Sequence, residues 1–194
     1  LSAEATAEVL RKSGLEHVEL LEMGKGVHPY VYAEWIHKPN APTLLLYAHH
    51  DVQPPGRDEK WKSNPFQPTE RDGRLYGRGT ADDKAGIIAH SAAIASYLKT
   101  VGELPVNVKV LIEGEEEIGS NNLAAFVHKH KNKLTADGLI VTDCANVDSG
   151  IPSITTALRG LCAVDIEVEA LSHPVHSGLW GGILPDANVA LAKI

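Results

Sequence analysis

Apolar positions along this chain follow two periods, and the period switches often enough to mark out a series of short elements. Ala3, Ala7, Leu10 and Leu15 recur at helical spacing, which predicts a helix over 1–15 with Gly14 as its stop. Residues 18–21 and 30–36 read as short strands around a Gly/Pro-containing bend, and Pro39 to Pro42 closes that portion. The run TLLLYA at 43–48 is a compact buried-strand pattern that leaves His49, His50 and Asp51 at its C-terminal end. Positions 53–69 are rich in turn residues, and their aromatics Trp61 and Phe66 are expected to pack this loop over the scaffold.

The longest helical pattern covers 83–98, with Ile87, Ile88, Ala92, Ala95 and Leu98 as its apolar face. After Pro105, VNVKVLI at 106–112 reads as a buried strand that delivers Glu113, Glu115, Glu116 and Glu117. A short helix over 123–130 follows, and then a strand over 138–142 that delivers Asp143. Strand, helix, strand, helix, strand in this order predicts an α/β body with a largely parallel sheet. Beyond 149–155 the pattern changes. Residues 157–169 look strand-like around Arg159 and Gly160, and 186–194 opens another helix, so the expected division is 1–153 and 154–194.

This topology gives the polar clusters a common destination, because ligands of open α/β sheets bind beyond the C-terminal ends of the strands. In an extended exit, His49 and Asp51 project to the same side. An imidazole there can hold a metal while the carboxylate fixes its tautomer, with His50 pointing elsewhere. YGRGTADDKAG at 76–86 brings Asp82 and Asp83 to a helix entrance, where Gly77 and Gly79 permit tight backbone turns. Either aspartate can cap the helix, and two adjacent anions also suit a cation. The glutamates can solvate a loop. Buried together, they need a cation or a proton to relieve their repulsion. One of Glu116 and Glu117 can then hold metal while its neighbour takes a proton from an attacking water.

A two-metal hydrolase would use such a set, with Asp82 bridging and His, Asp and Glu ligands around it. Mixed nitrogen and oxygen donors favour transition metals over calcium. In the late segment SHPVHSGLWGG, His173 or His176 can donate to an oxyanion.

Composition narrows the class of partner. Among 194 residues, 18 Lys plus Arg stand against 25 Asp plus Glu, a formal charge of -7 that argues against nucleic acid. Cys144 and Cys162 are too few for a disulfide scaffold and are expected as free thiols. With no long apolar run and no secretory pattern, no membrane association is expected and a cytoplasmic location is. The absence of an initiator Met and the abrupt LAKI ending lead us to expect a chain that is not the whole gene product.

Taken in order, YAHHDVQP, YGRGTADDKAG, IEGEEEIGS, VTD and HPVHSGLWGG resemble the M20 metallopeptidases over roughly Pro42 to Pro185, particularly the carnosinase-like and other dipeptidase members. The resemblance implies a zinc-peptidase-like catalytic domain with part of an inserted α/β dimerisation (lid) domain. It also implies hydrolysis of a dipeptide or small peptide by a water activated between two divalent cations, zinc foremost and cobalt or manganese as alternatives.

Residue by residue, it makes His49 a ligand of the first metal, Asp51 its orienting carboxylate and Asp82 the bridge. Asp83 would be structural, Glu116 the general acid/base, Glu117 a ligand of the second metal and Asp143 the remaining ligand of the first. His176 would stabilise the oxyanion, across the subunit boundary in dimeric relatives, so a homodimer is the expected assembly. The family's late histidine ligand of the second metal has no counterpart in these residues, and the fragment by itself is expected to be inactive. Two alternatives stay open: an N-acyl-amino-acid deacylase, removing an acetyl or succinyl group, and a non-enzymatic dimerisation or interaction module.

Overall fold

The segment 106–112 finds partners on both sides, and the sheet is built outward from it. A computed structural model describes residues 1–194. In chain order its elements are α1 (Ser2–Lys12), β1 (Glu16–Leu21), β2 (Tyr30–Trp35), β3 (Thr43–His49), β4 (Thr69–Arg71), β5 (Arg74–Tyr76), α2 (Lys84–Thr100), β6 (Asn107–Glu113), α3 (Leu123–Lys129), α4 (Lys131–Leu134), β7 (Gly138–Val141), α5 (Ser177–Trp180) and α6 (Ala187–Leu191).

The main sheet has the order β1-β2-β6-β3-β7. Strands β6, β3 and β7 run parallel, whereas β2 is antiparallel to β6 and β1 antiparallel to β2. The sheet is therefore mixed, which corrects the expectation of a largely parallel one. The cause is the short Gly/Pro bend between β1 and β2, which can only return the chain antiparallel, since a parallel neighbour needs a crossover of a dozen residues or more.

Side-chain alternation gives the sheet two apolar faces. Val31, Ala33, Trp35, Leu46, Ala48, Val108, Val110 and Ile112 pack with Ala3, Ala7 and Leu10 of α1 and Ile87 and Ile94 of α2. On the other face Tyr30, Tyr32 and Leu111 pack with Phe126 of α3 and Leu134 of α4. Phe126 stacks on Tyr30 with ring centroids 3.8 Å apart, and both side chains are fully buried.

The inward face of α2 differs from the one its apolar residues suggest. Ile87, His90, Ser91 and Ile94 are buried, while Ile88 is 54% exposed and Ala92 is exposed. Two polar side chains belong to the buried stripe, so counting apolar positions alone rotates it by about one residue. The hairpin β4–β5 had no counterpart in the sequence-based elements, although Asp72-Gly73 at its turn, with both residues at positive φ, is a common hairpin signal.

The chain divides into residues 1–151 and 152–194. In the second unit α5 and α6 are the regular elements, and the strands expected over 157–169 do not form. Leu158, Leu161 and Val164 are 87%, 95% and 77% exposed there, without the ladder a strand requires. No helix is long and apolar enough to cross a membrane.

Candidate metal centre

Three parallel strands end within two residues of one another, which gathers the residues that leave them. His49, the last residue of β3, pairs with Glu113, the last of β6. Beyond β7 the Thr142 amide still donates to the Tyr47 carbonyl, which carries Asp143 to the same end of the sheet. His49 is fully buried. Its Nε2 lies 2.9 Å from Asp82 Oδ1 and 3.8 Å from both Glu116 Oε2 and Asp143 Oδ2. On the opposite edge of the ring, Nδ1 is 3.2 Å from the Asp51 carbonyl and 3.2 Å from Asp51 Oδ1. Asp51 Oδ2 accepts from the Glu117 amide at 3.0 Å, which ties the exit of β3 to the turn after β6.

The two adjacent aspartates have different surroundings. Their shared peptide is cis, and the approach to it turns at Gly79, whose φ of +81° and close contact with Val52 leave no room for a side chain. The Asp82 side chain is 61% exposed and reaches His49 Nε2. Asp83 is 1% exposed and caps α2: Oδ1 accepts from Gly86 N at 3.2 Å, and Oδ2 accepts from the His49 amide at 3.1 Å. Asp83 thus supports the backbone of His49 from below. Lys84 Nζ donates to the His50 carbonyl at 2.9 Å, and the His50 ring turns away to the Pro29 carbonyl.

Glu116 and Glu117 lie on a 3-10 turn over Glu116–Ile118. Gln53 meets this turn twice: its amide lies 3.3 Å from Glu117 Oε1, and its Nε2 donates to the Glu117 carbonyl. Glu113 is fully buried and accepts from the Tyr47 hydroxyl at 2.6 Å.

Crowded anions and one imidazole shift one another. Burial opposes charge on His49, but the carboxylates of Asp51, Asp82 and Asp143 outweigh it and push its pKa up to about 9. Burial raises Glu116 and Asp143 above the ordinary carboxylate range; the His49 charge pulls both down, while surrounding carboxylates add to the rise. Asp51 is shifted the other way, because its contacts with His49 and the Glu117 amide overcome the effect of burial.

A concentration of carboxylates around one buried imidazole is the donor set a divalent cation requires. Two atoms each about 2.1 Å from a tetrahedral zinc stand about 3.4 Å apart, and the separations of 2.9 and 3.8 Å around His49 Nε2 bracket that value. Ligand atoms of His49, Asp83 and Asp143, one from each, also lie within 4.8 Å of one another. These residues form one candidate metal-binding cluster, and their donor set fits a cation.

Of the residues singled out from sequence, His49, Asp51, Asp82, Glu116, Glu117 and Asp143 come together at this end of the sheet. His176 belongs to the second unit, where it caps α5 by accepting from the Gly178 amide at 3.1 Å. Gln53 was not foreseen. It follows Asp51 by two positions in the same strand exit, and that spacing was the available signal. His90 was not foreseen either. It sits 6% exposed beneath the site, with Nε2 3.0 Å from Thr142 Oγ1 and 3.2 Å from the Tyr47 carbonyl.

Residues 45–178 match the description Peptidase family M20/M25/M40. Over 156 residues the chain is 42% identical to a cysteinylglycine-S-conjugate dipeptidase of Corynebacterium striatum, covering 80% of this chain and 34% of that protein. It is 35% identical over 190 residues to a Beta-Ala-His dipeptidase of Mus musculus, covering 94% and 39%. The solved structure of human carnosine dipeptidase 1 superimposes with a TM-score of 0.77 at 30% identity, over 97% of this chain and 41% of that one. The chain thus spans between a third and two fifths of the length of these curated relatives.

Proposed function

From the premise that this chain belongs to peptidase family M20/M25/M40, we propose that the protein hydrolyses the amide bond of a dipeptide or small peptide at the centre around His49. The observation that carries this reading is the convergence of Asp82, Glu116 and Asp143 on one imidazole nitrogen, at 2.9 to 3.8 Å, where three parallel strands end. The dipeptidase names of the relatives support the substrate class.

We assign His49, Asp82, Asp143 and Glu117 as the residues that would hold two divalent cations, zinc first and cobalt or manganese next, and Asp82 is the one that would serve both. Asp82 suits this role better than Asp83, because both Asp83 oxygens already accept backbone amides while the Asp82 carboxylate is largely open. Bound cations supply Lewis-acid polarisation of the scissile carbonyl and make a water acidic enough to attack it near neutral pH. Glu116 takes the proton from the attacking water and returns it to the departing amine, so one carboxyl serves as base and then as acid. Asp51 holds the His49 ring by its Nδ1 edge and leaves Nε2 to face the carboxylates.

His176 is our candidate donor to the developing oxyanion. Its support is the HSGLWGG motif. We assign residues 154–194 to a dimerisation or lid domain, and a homodimer to the assembly.

The test is the full-length protein loaded with each metal and offered dipeptides beside N-acetyl and N-succinyl amino acids. We expect dipeptides to be cleaved. Deacylation without peptide hydrolysis would replace this reading with an N-acyl-amino-acid deacylase. Glu116→Gln should lower kcat by about 10²- to 10⁴-fold with the fold intact. Full activity in that variant would remove the acid/base role.

A further inference from the structure

Glu116 and Glu117 stand on a short turn outside any sheet or long helix, so something else must fix where their carboxylates point. Backbone bonds do part of this. The Glu115 carbonyl accepts from Ser120 N at 2.8 Å and from Ile118 N at 3.3 Å, and the Glu116 carbonyl accepts from Gly119 N at 3.0 Å. Gly119 and Ser120, at φ of 92° and 53°, reverse the chain. One side chain of the turn is buried, and it is an acid: Glu115 is 3% exposed. Asn122 Nδ2 lies 2.9 Å from its Oε2 and 3.2 Å from its Oε1.

We propose that the Glu115–Asn122 pair is a positioning clamp that closes the glutamate turn and sets Glu116 and Glu117 at the reach the reaction needs. The inference rests on the hydrolytic reading above. The two clamp residues bracket the turn, one directly after β6 and Gly114, the other directly before α3. Each flank is anchored independently. The Gly114 carbonyl lies 2.8 Å from His28 Nδ1, and a side chain at this position would meet the Pro29 carbonyl, His28 Cβ and His50 Nε2, so the chain there is closely packed. On the far flank the Asn122 carbonyl accepts from Phe126 N at 2.9 Å, and Phe126 is stacked on Tyr30. A buried carboxylate with one amide partner is costly to leave unpaired, so the pair resists opening. From the opposite side Asp51 and Gln53 latch the Glu117 backbone. The turn is thus held at its base by the clamp and at its crest by the exit of β3.

A displacement of about 1 Å in a catalytic group costs on the order of 10²-fold in rate. Asn122→Ala in the full-length holoenzyme should therefore lower kcat by about 10- to 100-fold with KM changed little. In the same protein stripped of metal, amide hydrogen exchange over residues 116–121 should quicken by about tenfold while the sheet stays protected. The exchanged pair Glu115→Gln with Asn122→Asp, which restores an amide-to-carboxylate hydrogen bond in the opposite sense, should recover most of kcat.

Unchanged kcat and unchanged exchange in Asn122→Ala, beside an inactive Glu116→Gln, would overturn the clamp and leave the hydrolytic reading standing. An active Glu116→Gln would overturn that reading whatever Asn122→Ala did. A drop in kcat that the exchanged pair does not recover would also count against positioning.

Discussion

Residues 106–112 and 157–169 carry comparable apolar patterns and meet different fates. VNVKVLI becomes the central strand β6, paired on one side with β2 and on the other with β3, and Val110 is fully buried. LRGLCAVDIEVE forms no strand, and Leu161 is 95% exposed. The difference teaches that a strand is a relation between segments: backbone groups gain from extension only where a neighbour accepts and donates in register. The candidate centre depends on the same relation, because His49, Glu116 and Asp143 meet only through the pairing of β3, β6 and β7.

If that contrast holds, substitutions in the paired region should be felt strongly and those in the unpaired one hardly at all. Phe126→Ala removes the ring stacked on Tyr30 and should cost about 3–5 kcal/mol of stability by urea unfolding. A cost below about 1 kcal/mol would mean the α3 face is not a packed core. Gly86→Ala places a methyl group against Asp83 Oδ1 and Thr142 Oγ1. It should cost about 1–3 kcal/mol and loosen the support beneath His49, read as faster exchange of the His49 amide.

A pH series gives a finer separation. Burial holds the His90 pKa below its ordinary value of 6.5, with the Tyr47 carbonyl opposing the shift. The unfolded chain therefore binds a proton that the folded chain refuses, and the contribution of His90 to stability is present above pH 6.5 and lost as pH falls below it. Relative to the wild type, His90→Gln should remove up to about 1.4 kcal/mol per pH unit from the acid slope. Identical slopes in the two proteins would place His90 in solvent. The smallest effect belongs to Leu161→Ala, expected within about 0.5 kcal/mol of the wild type. A loss as large as that of Phe126→Ala would abolish the contrast between the two regions.

Much of the paired region was legible because its signals are local. Three inward positions of α1, Ala3, Ala7 and Leu10, and the runs that became β3, β6 and β7 follow from spacing alone, whereas Thr6 is also buried in α1 and Leu15 lies beyond its end. The mixed sheet was less legible, since direction depends on which strands become neighbours and not on any one strand's pattern. The inward face of α2 departs from the apolar pattern because His90 is buried with its ring against the Thr142 hydroxyl and the Tyr47 carbonyl and Ser91 is buried by packing, neither of which hydrophobicity registers. At the centre, His49 and Asp51 could be paired from strand alternation. Spacing does not tell Asp82 from Asp83, which only the family resemblance separates: their environments, one largely open and one buried, arise from contacts with His49 and Gly86 that no spacing encodes. The Glu115–Asn122 pair was equally invisible, because acids in a glutamate run look alike until one of them is buried.

Asp51 has a consequence of its own. It borders the imidazole with its carbonyl and Oδ1 and grips the Glu117 amide with Oδ2, so two neighbouring loops share a single fastening. Evolution cannot retune the histidine at this position without also re-aiming the acids beside it. Divergence among related chains should therefore spare this joint and collect in the parts that merely surround it.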